Sequence, residues 1–268
     1  MPTGIARERL ASGQVVRHYE RSTGETVDIM APLVGYDDFD RVAGVTTVGN
    51  GWAETETGTA VTAGCPADVQ SILRLSTVAT DEDAVVLVRG PERLNAGVAG
   101  VSTNLQLEAR IKITKSTSFI GHRGFFGLMG TAPTLSGTGD FGDADHHVGI
   151  LFGDICEGPG GTEVDNTNIY FSADDAVTDT APVDSGADWT DATFACYRID
   201  LTDLTNIKFY KNGTRIGASL TIPFAGATTL AIATMSPVLA LIKHTTECST
   251  HNNTLEADYV RYWSTYRA

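Results

Sequence analysis

The chain has 268 residues, 42% of them hydrophobic, and carries 28 glycines, a composition typical of a water-soluble globular protein that is long enough to bury a core. Its formal net charge of −14 argues against a nucleic-acid partner, because binding to phosphates needs clustered cations. No apolar stretch reaches membrane-spanning length, and the first residues lack the apolar core of a signal peptide. The sequence therefore predicts neither a membrane partner nor secretion.

The start of the chain differs in composition from the rest. Residues 1–34 hold four arginines and four acidic residues, so this segment is neutral beside a strongly acidic body. Its apolar residues are too few and too irregular to bury a core, and we predict an extended N-terminal arm that lies against its own domain or against another chain. Arginine and amphipathic aromatic residues are enriched at protein interfaces. The candidate contact residues are Arg7, Arg9, Arg17, His18, Tyr19 and Arg21.

Strand-like segments separated by glycine-, aspartate- and proline-rich turns follow one another through residues 35–268. No segment keeps a 3.6-residue apolar period for three turns, so we expect little helix. The pattern predicts an all-β protein with one domain over residues 35–268, a two-sheet antiparallel β-sandwich or jelly roll. The predicted strands lie within 51–57, 71–76, 84–89, 105–114, 124–130, 146–153, 168–173, 194–202, 206–219, 228–234 and 257–263. The long stretch 173–189 is predicted to be a loop.

One hairpin is indicated by its turn residues. In "NIKFYKNGTRIGAS", residues 206–219, apolar and polar residues alternate on both sides of Asn212-Gly213. Asn-Gly is the preferred pair for a type I′ turn, because both central residues must take positive φ. The segment therefore predicts two antiparallel strands joined by a two-residue turn.

Four cysteines, at positions 65, 156, 196 and 248, stand far apart with no C-x-x-C pair. That spacing excludes a zinc ribbon or a thioredoxin-type site. Because no signal peptide is apparent, we expect a reducing compartment and four free thiols. Cys196 is predicted to pack as a small hydrophobic residue.

Four stretches resemble the concanavalin A-like lectin/glucanase jelly roll, a family that includes laminin G-like modules and glycoside hydrolase family 16. They are "YDDFDR" at the start of the body, "LEARIKIT…GFFGLMG", "ACYRIDLTDLTNIKFYKNGTRIG" and the closing "LEADYVRYW". The resemblance covers residues 35–268 and implies that the first and last strands of the body pair. It predicts the fold but not the function, because this fold serves enzymes, lectins and inert shells.

The catalytic motif of the family's hydrolases is incomplete. Those enzymes use E-x-D-x-x-E on a strand, with two carboxyl groups about 5–5.5 Å apart in a retaining enzyme. In "EVDNTN", Glu163 and Asp165 match the first two positions, but Asn168 replaces the acid/base, and an amide cannot donate and recover that proton. No other catalytic motif is present. The sequence predicts a protein that is not an enzyme and uses no cofactor, with a degenerate hydrolase as the enzymatic alternative.

Oxygen donors cluster in the loop "GDFGDADHH". Asp140, Asp143 and Asp145 precede His146 and His147, and alternating oxygen donors are what calcium requires. The spacing does not fit an EF-hand, however, and histidines directly before "VGILFG" are better explained as the start of a strand, one pointing inward and one outward. We therefore predict no metal site and keep the three aspartates as the weaker alternative.

Sugar recognition would need aromatic rings on an accessible sheet face. The three candidates are Trp52, Trp189 and Trp263, although large aromatic residues in a sandwich more often pack in the core or against a sheet. Around Trp263, alternation places Tyr259 on the same side of the last strand, with Val260 and Tyr262 on the other. Glycan binding thus stays open.

A jelly roll with no complete catalytic set, no signal peptide and an N-terminal arm is similar to the structural proteins of tailed bacteriophages. The function predicted first is a virion protein, a capsid decoration (cement) protein that grips the head partly through residues 1–34. Its partner would be the major capsid protein or another virion protein, it would assemble in the host cytoplasm, and it would form a dimer or trimer. The alternative is a lectin-like carbohydrate-binding module, or a phage adhesin or tail component that recognises host glycans.

Overall fold

The structure is a computed structural model of the chain, and what it describes is all β. Every regular element within the described residues is a strand, eighteen in all. The described residues contain no helix long and apolar enough to cross a membrane. The described residues are 5–9, 15–20, 26–27, 34–37, 39, 52–57, 62–65, 72–77, 84–89, 105–130, 147–153, 167–174, 182–203, 206–217, 235–243 and 252–264.

The strands are short and antiparallel. In chain order they are β1 (Ile5–Arg9), β2 (Val15–Glu20), β3 (Thr26–Val27), β4 (Val34–Asp37), β5 (Ala53–Thr57), β6 (Thr62–Gly64), β7 (Leu73–Ser76), β8 (Ala84–Arg89), β9 (Leu105–Thr114), β10 (His122–Met129), β11 (His147–Gly153), β12 (Asn168–Asp174), β13 (Val183–Asp188), β14 (Ala195–Asp200), β15 (Lys208–Lys211), β16 (Thr214–Ile216), β17 (Ser236–Lys243) and β18 (Thr254–Ser264).

Two large sheets form the sandwich. One has seven strands in the order β13-β12-β11-β10-β17-β8-β5, and the other has eight, in the order β16-β15-β14-β9-β18-β7-β6, with β4 paired to the far half of β18. This confirms the two-sheet antiparallel β-sandwich. The pairing of β4 with β18, in which Tyr36 lies opposite Arg261, joins the first and last strands of the body, as the resemblance implied.

The core lies between the two large sheets. On β9, Leu105, Leu107, Ala109, Ile111 and Ile113 alternate with polar residues and are buried in it. Because successive side chains on a strand point to opposite faces, this alternation fixes which side of the sheet faces inward. The polar residues of β9 are left on the outer face, where the candidate site lies.

The two sheets are joined across the core by aromatic contacts near the hairpin. The rings of Phe171 on β12 and Phe209 on β15 stack with centroids 3.9 Å apart and an interplanar angle of 9°. The hairpin β15–β16 is as predicted: Asn212 and Gly213 have φ of 50° and 79°, the left-handed values that a type I′ turn requires. The Asn212 side chain also accepts a hydrogen bond from the backbone N–H of Cys196 at 2.9 Å, which ties the turn to β14.

Within the sandwich, β6, β13 and β17 lie where no strand was predicted. β13 falls inside the stretch 173–189 that was predicted to be a loop, because it is an exposed edge strand with an irregular register opposite β12 and a glycine, Gly186, at φ +67°. β17 contains Pro237, a residue that argues against a central strand, yet it pairs with both β10 and β8. The strand predicted at 228–234 lies outside the described residues.

The described part of residues 1–34 contains a small sheet of its own. β2 pairs with β1 and with β3, and the register places Arg7 opposite His18 and Glu8 opposite Arg17. These strands were not recognised in the sequence, because they lack a regular apolar alternation. The division of the chain after residue 34 stays a prediction.

Candidate functional site

The outer face of the seven-stranded sheet carries an apolar cluster. A second cluster of buried side chains lies there, separate from the main core: Phe125, Met129, Leu151, Tyr170, Val238, Ala240 and Ile242. Glycines make room for it, because a Cβ on Gly149 would stand 2.5 Å from the Phe125 ring. Strands β10, β11 and β17 carry no aspartate or glutamate. A pair of catalytic carboxylates therefore cannot be built from these three strands.

The outer face of the eight-stranded sheet is, by contrast, charged and aromatic. We call it the ionic face. The register and the burial pattern assign its members as Arg74 on β7, Gln106, Glu108, Arg110 and Lys112 on β9, Cys196, Arg198 and Asp200 on β14, Lys208 and Tyr210 on β15, Arg215 on β16, and Glu256, Asp258, Tyr259, Arg261 and Trp263 on β18.

A buried ion pair lies at the centre of the ionic face. Arg261 Nη2 contacts Glu108 Oε1 at 2.6 Å, and the two side chains are only 7% and 10% exposed. The Tyr259 hydroxyl donates a hydrogen bond to the same oxygen at 2.7 Å. Removing two charges from water is costly unless each has partners, so the loss of either member would leave a buried charge unpaired.

Two further ion-paired groups flank this centre. Glu256 lies between Arg74, whose Nε is 2.6 Å from Oε1, and the ammonium group of Lys112. Asp258 Oδ2 is 2.5 Å from Nη1 of Arg110. The three carboxylates of β9 and β18 are thus all neutralised by cations on the same face.

Aromatic rings lie among these charges. The Arg261 guanidinium stands 5.0 Å from the centroid of the Trp263 ring, and that of Arg198 stands 4.2 Å from the centroid of the Tyr210 ring. Both distances are within the range of cation–π attraction. The face therefore combines ring surfaces with groups that donate and accept hydrogen bonds, which is the chemistry that recognises polar ligands with apolar ring faces.

Neither the Cys196 thiol nor the Tyr259 phenol is an activated nucleophile. Burial raises the pKa of Tyr259 well above its usual value, helped by the negative charge of Glu108, so the phenol stays protonated and donates to that carboxylate. Burial likewise raises the pKa of the Cys196 thiol. Cys196 is half-buried on the outer face, 3.5 Å from the Tyr259 hydroxyl. The prediction that it packs as a small hydrophobic residue missed this polar contact.

For the predicted contact residues of the N-terminal arm, the structure describes only the position of the backbone. Arg7 and Arg9 lie on β1, and Arg17, His18 and Tyr19 lie on β2, while Arg21 lies outside the described residues. Their role in binding a partner stays a prediction.

The metal and catalytic candidates fall mostly outside the described residues. This holds for Asp140, Asp143, Asp145, Glu163 and Asp165. Within the described residues, no group of three His, Cys, Asp or Glu side chains could hold a metal ion. Of the histidine pair, His147 is buried at the start of β11 and hydrogen-bonds Ser172 at 2.7 Å. Asn168 begins β12, and its amide donates to the Tyr170 hydroxyl at 3.0 Å.

The three tryptophans separate into core and surface. Trp189 is buried against Phe119, and Trp52 packs against the core beside Phe39. Trp263 alone of the three lies on the ionic face, on the same side of β18 as Tyr259, as the alternation predicted.

One partial motif escaped the sequence reasoning. Glu256, Asp258 and Arg261 on β18 read E-x-D-x-x-R, so an arginine stands where the family's hydrolases have the acid/base. A bulge at this point shifts the register between Ala257 and Tyr259, and both carboxylates are ion-paired. Charged residues at alternate positions in "LEARIK" and "LEADYVRYW" were the sequence signal for this group of ion pairs. Which of these residues pair across strands cannot be predicted from either segment alone.

These sheets define a jelly-roll β-sandwich of the concanavalin A-like class. Among solved structures the chain is similar to an immunostimulatory antigen and pseudo β-1,3-glucanase of Mycobacterium tuberculosis, at 15% identity and a TM-score of 0.53, over 87% of this chain and 98% of that one. It is similar to a glycoside hydrolase family 16 endo-glucanase from Bacteroides ovatus at 12% identity and a TM-score of 0.53, over 85% and 99%.

A third similar structure is the carbohydrate recognition domain of Emp47p, at 10% identity and a TM-score of 0.50, over 86% of this chain and 94% of that one. No protein-family model matches the sequence. No curated protein matches it either. At such low identities the similarity of structure establishes the fold alone.

Proposed function

We propose that the protein binds carbohydrate through the ionic face and does not hydrolyse it. The observation that carries the proposal is Trp263, a half-buried indole beside the Arg261 guanidinium and opposite Gln106 on the outer face of a sheet. Rings that stack on a sugar, with polar groups beside them that hydrogen-bond its hydroxyls, make up a sugar-binding surface. The similar structures, a glucanase, a pseudo-glucanase and a carbohydrate recognition domain, support this choice.

We propose that the protein does not hydrolyse carbohydrate because the carboxylates of β9 and β18 are ion-paired. A glycosidase needs one carboxyl group to donate a proton and a second one to act as nucleophile or base. Glu108, Glu256 and Asp258 are all held by cations, and Arg261 occupies the third position of the motif on β18. A fold neighbour described as a pseudo-glucanase is a precedent for this architecture without the activity.

Trp263→Ala should weaken binding to a recognised polysaccharide by about tenfold or more, which is about 1.4 kcal/mol. The measurement is isothermal titration calorimetry against a panel of neutral and acidic polysaccharides, which does not depend on the indole that the variant removes, with reducing ends assayed in parallel. Trp189→Phe is the control, because that ring is buried in the core, and it should leave the affinity unchanged. Equal affinity of Trp263→Ala and the native protein would place the site elsewhere, and release of reducing ends would refute the non-hydrolytic part.

A second candidate is the capsid decoration protein. Its specific support is the small sheet β1–β2–β3 within residues 1–34, whose strands pair with one another and with none of the described strands of the two large sheets. The test is co-sedimentation with phage capsids stripped of their decoration protein, using the full chain and a chain that lacks residues 1–34. Saturable binding that is lost with the N-terminal segment is the result expected of a cement protein. Binding by neither form would reject it.

A further inference from the structure

Three cations at one edge of the ionic face have no acidic partner among the described residues: Arg198 on β14, Lys208 on β15 and Arg215 on β16. Tyr210, two residues after Lys208 on β15, lies opposite both Arg198 and Arg215 in the register. We call these four residues the edge patch. Among the residues that the structure describes, none of the three cations forms an ion pair, whereas Arg74, Arg110, Lys112 and Arg261 all do.

Two acidic groups lie near the edge patch, and neither forms an ion pair with its cations within the described residues. Glu108 lies opposite Arg198 in the register, but its carboxylate binds Arg261 and the Tyr259 hydroxyl. Asp200 lies opposite Lys208, and its carboxylate accepts a hydrogen bond from the backbone N–H of Thr202 at 3.0 Å. The charge of Asp200 offsets one of the three cations, so the edge patch keeps a net positive charge.

The central cation of the edge patch is held in place before any ligand binds. The Arg198 guanidinium stands over the Tyr210 ring at 4.2 Å, and its buried Nε has no hydrogen-bond partner. A guanidinium stacked on a ring keeps the donors along its edge, in the planar fork that matches a carboxylate or a sulfate. Little side-chain freedom remains to be lost on binding.

We infer that the edge patch binds the anionic group of an acidic polysaccharide, a carboxylate or a sulfate. This inference rests on the proposed function and names its ligand class. Charge complementarity supports it, because three cations without an ion pair stand together on a chain in which aspartate and glutamate outnumber lysine and arginine by 33 to 19. Such a local field attracts anions and becomes weaker as salt screens it. The rest of the ionic face, with Trp263, would contact the sugar rings.

The test uses a β-1,3-glucan, its carboxymethyl derivative and polygalacturonate as probes, titrated against the full chain. The first two share one backbone, so their difference reports charge alone. Both acidic probes should bind about tenfold or more tightly than the neutral glucan in low salt, and this preference should shrink as NaCl is raised. Arg198→Gln should lose about tenfold in affinity for the acidic probes and keep its affinity for the neutral one.

Lys115→Gln is the control, because Lys115 follows the end of β9 and is not part of the ionic face, and it should retain the preference. Thermal unfolding of each variant checks that the fold is intact. Equal binding of the neutral and charged glucans would overturn this inference and leave the proposed function standing, and failure to bind any polysaccharide would overturn both. Tighter binding of a single-stranded oligonucleotide, with the same dependence on Arg198, would assign the patch to nucleic acid and also overturn the inference.

Discussion

Arg261→Met should lower the free energy of unfolding by about 3–5 kcal/mol, the largest effect we expect from any change on the ionic face. The Glu108 carboxylate is buried, and its charge is balanced by the guanidinium 2.6 Å away. Methionine fills a similar volume but leaves that charge unpaired. The Tyr259 hydroxyl still donates to Glu108, because burial keeps its pKa high, but a neutral donor replaces only part of the lost attraction. Urea unfolding followed by circular dichroism measures the loss.

Two further variants test whether the loss of stability in Arg261→Met is caused by a buried charge left unpaired. Arg110→Met breaks a pair whose side chains are 42% and 32% exposed, and it should cost less than about 1 kcal/mol because water and salt screen such a pair. The double variant Glu108→Leu/Arg261→Met should be more stable than Arg261→Met alone, since no charge is then left unpaired. If Arg110→Met and Arg261→Met were equally destabilising, the buried-charge explanation would be wrong.

Phe209→Ala should destabilise the protein by about 3–5 kcal/mol. The Phe209 ring is 1% exposed and stacks on Phe171 across the core, so its removal leaves a cavity between the two sheets. The strand that carries it also carries Lys208 and Tyr210, so this contact packs the hairpin of the edge patch against the core. We expect the variant to lose affinity for acidic polysaccharides together with stability, measured by urea unfolding and by titration.

Tyr210→Ala is the matched control for stability, because it removes an aromatic ring from the neighbouring position on the outer face. That ring is half-buried, so its loss creates no internal cavity and should cost clearly less than the loss of Phe209. A Tyr210→Ala variant as unstable as Phe209→Ala would mean that packing outside the sandwich, and not the ring stack inside it, holds the hairpin.

The contrast between the two outer faces bears on where a ligand can bind. The outer face of the seven-stranded sheet carries buried apolar side chains, with Phe125 lying over two glycines. The outer face of the eight-stranded sheet carries ion pairs, half-buried rings and further cations. Polar ligands need partners that donate and accept hydrogen bonds, and within the described residues such partners are concentrated on the ionic face.

Most strands of the sandwich could be predicted from the sequence, because alternation of apolar and polar residues reports burial on one side. β9 and β14 show it clearly, with burial patterns that repeat every second residue. The hairpin followed from Asn212-Gly213, since turn geometry is a local property. β13 could not be predicted, because an exposed edge strand with a bulge buries little and leaves no alternation to detect.

The sequence by itself determined the class of fold, the type I′ hairpin, and the placing of Tyr259 and Trp263 on one side of the last strand. These depend on the period of a strand and on the backbone preferences of single residues. Only the tertiary structure decided that Glu108 meets Arg261, 153 positions further along the chain, while Arg198 and Arg215 form no ion pair among the described residues. Such contacts depend on which strands are neighbours and in what register, and a one-residue shift in register would reassign every pair on the ionic face.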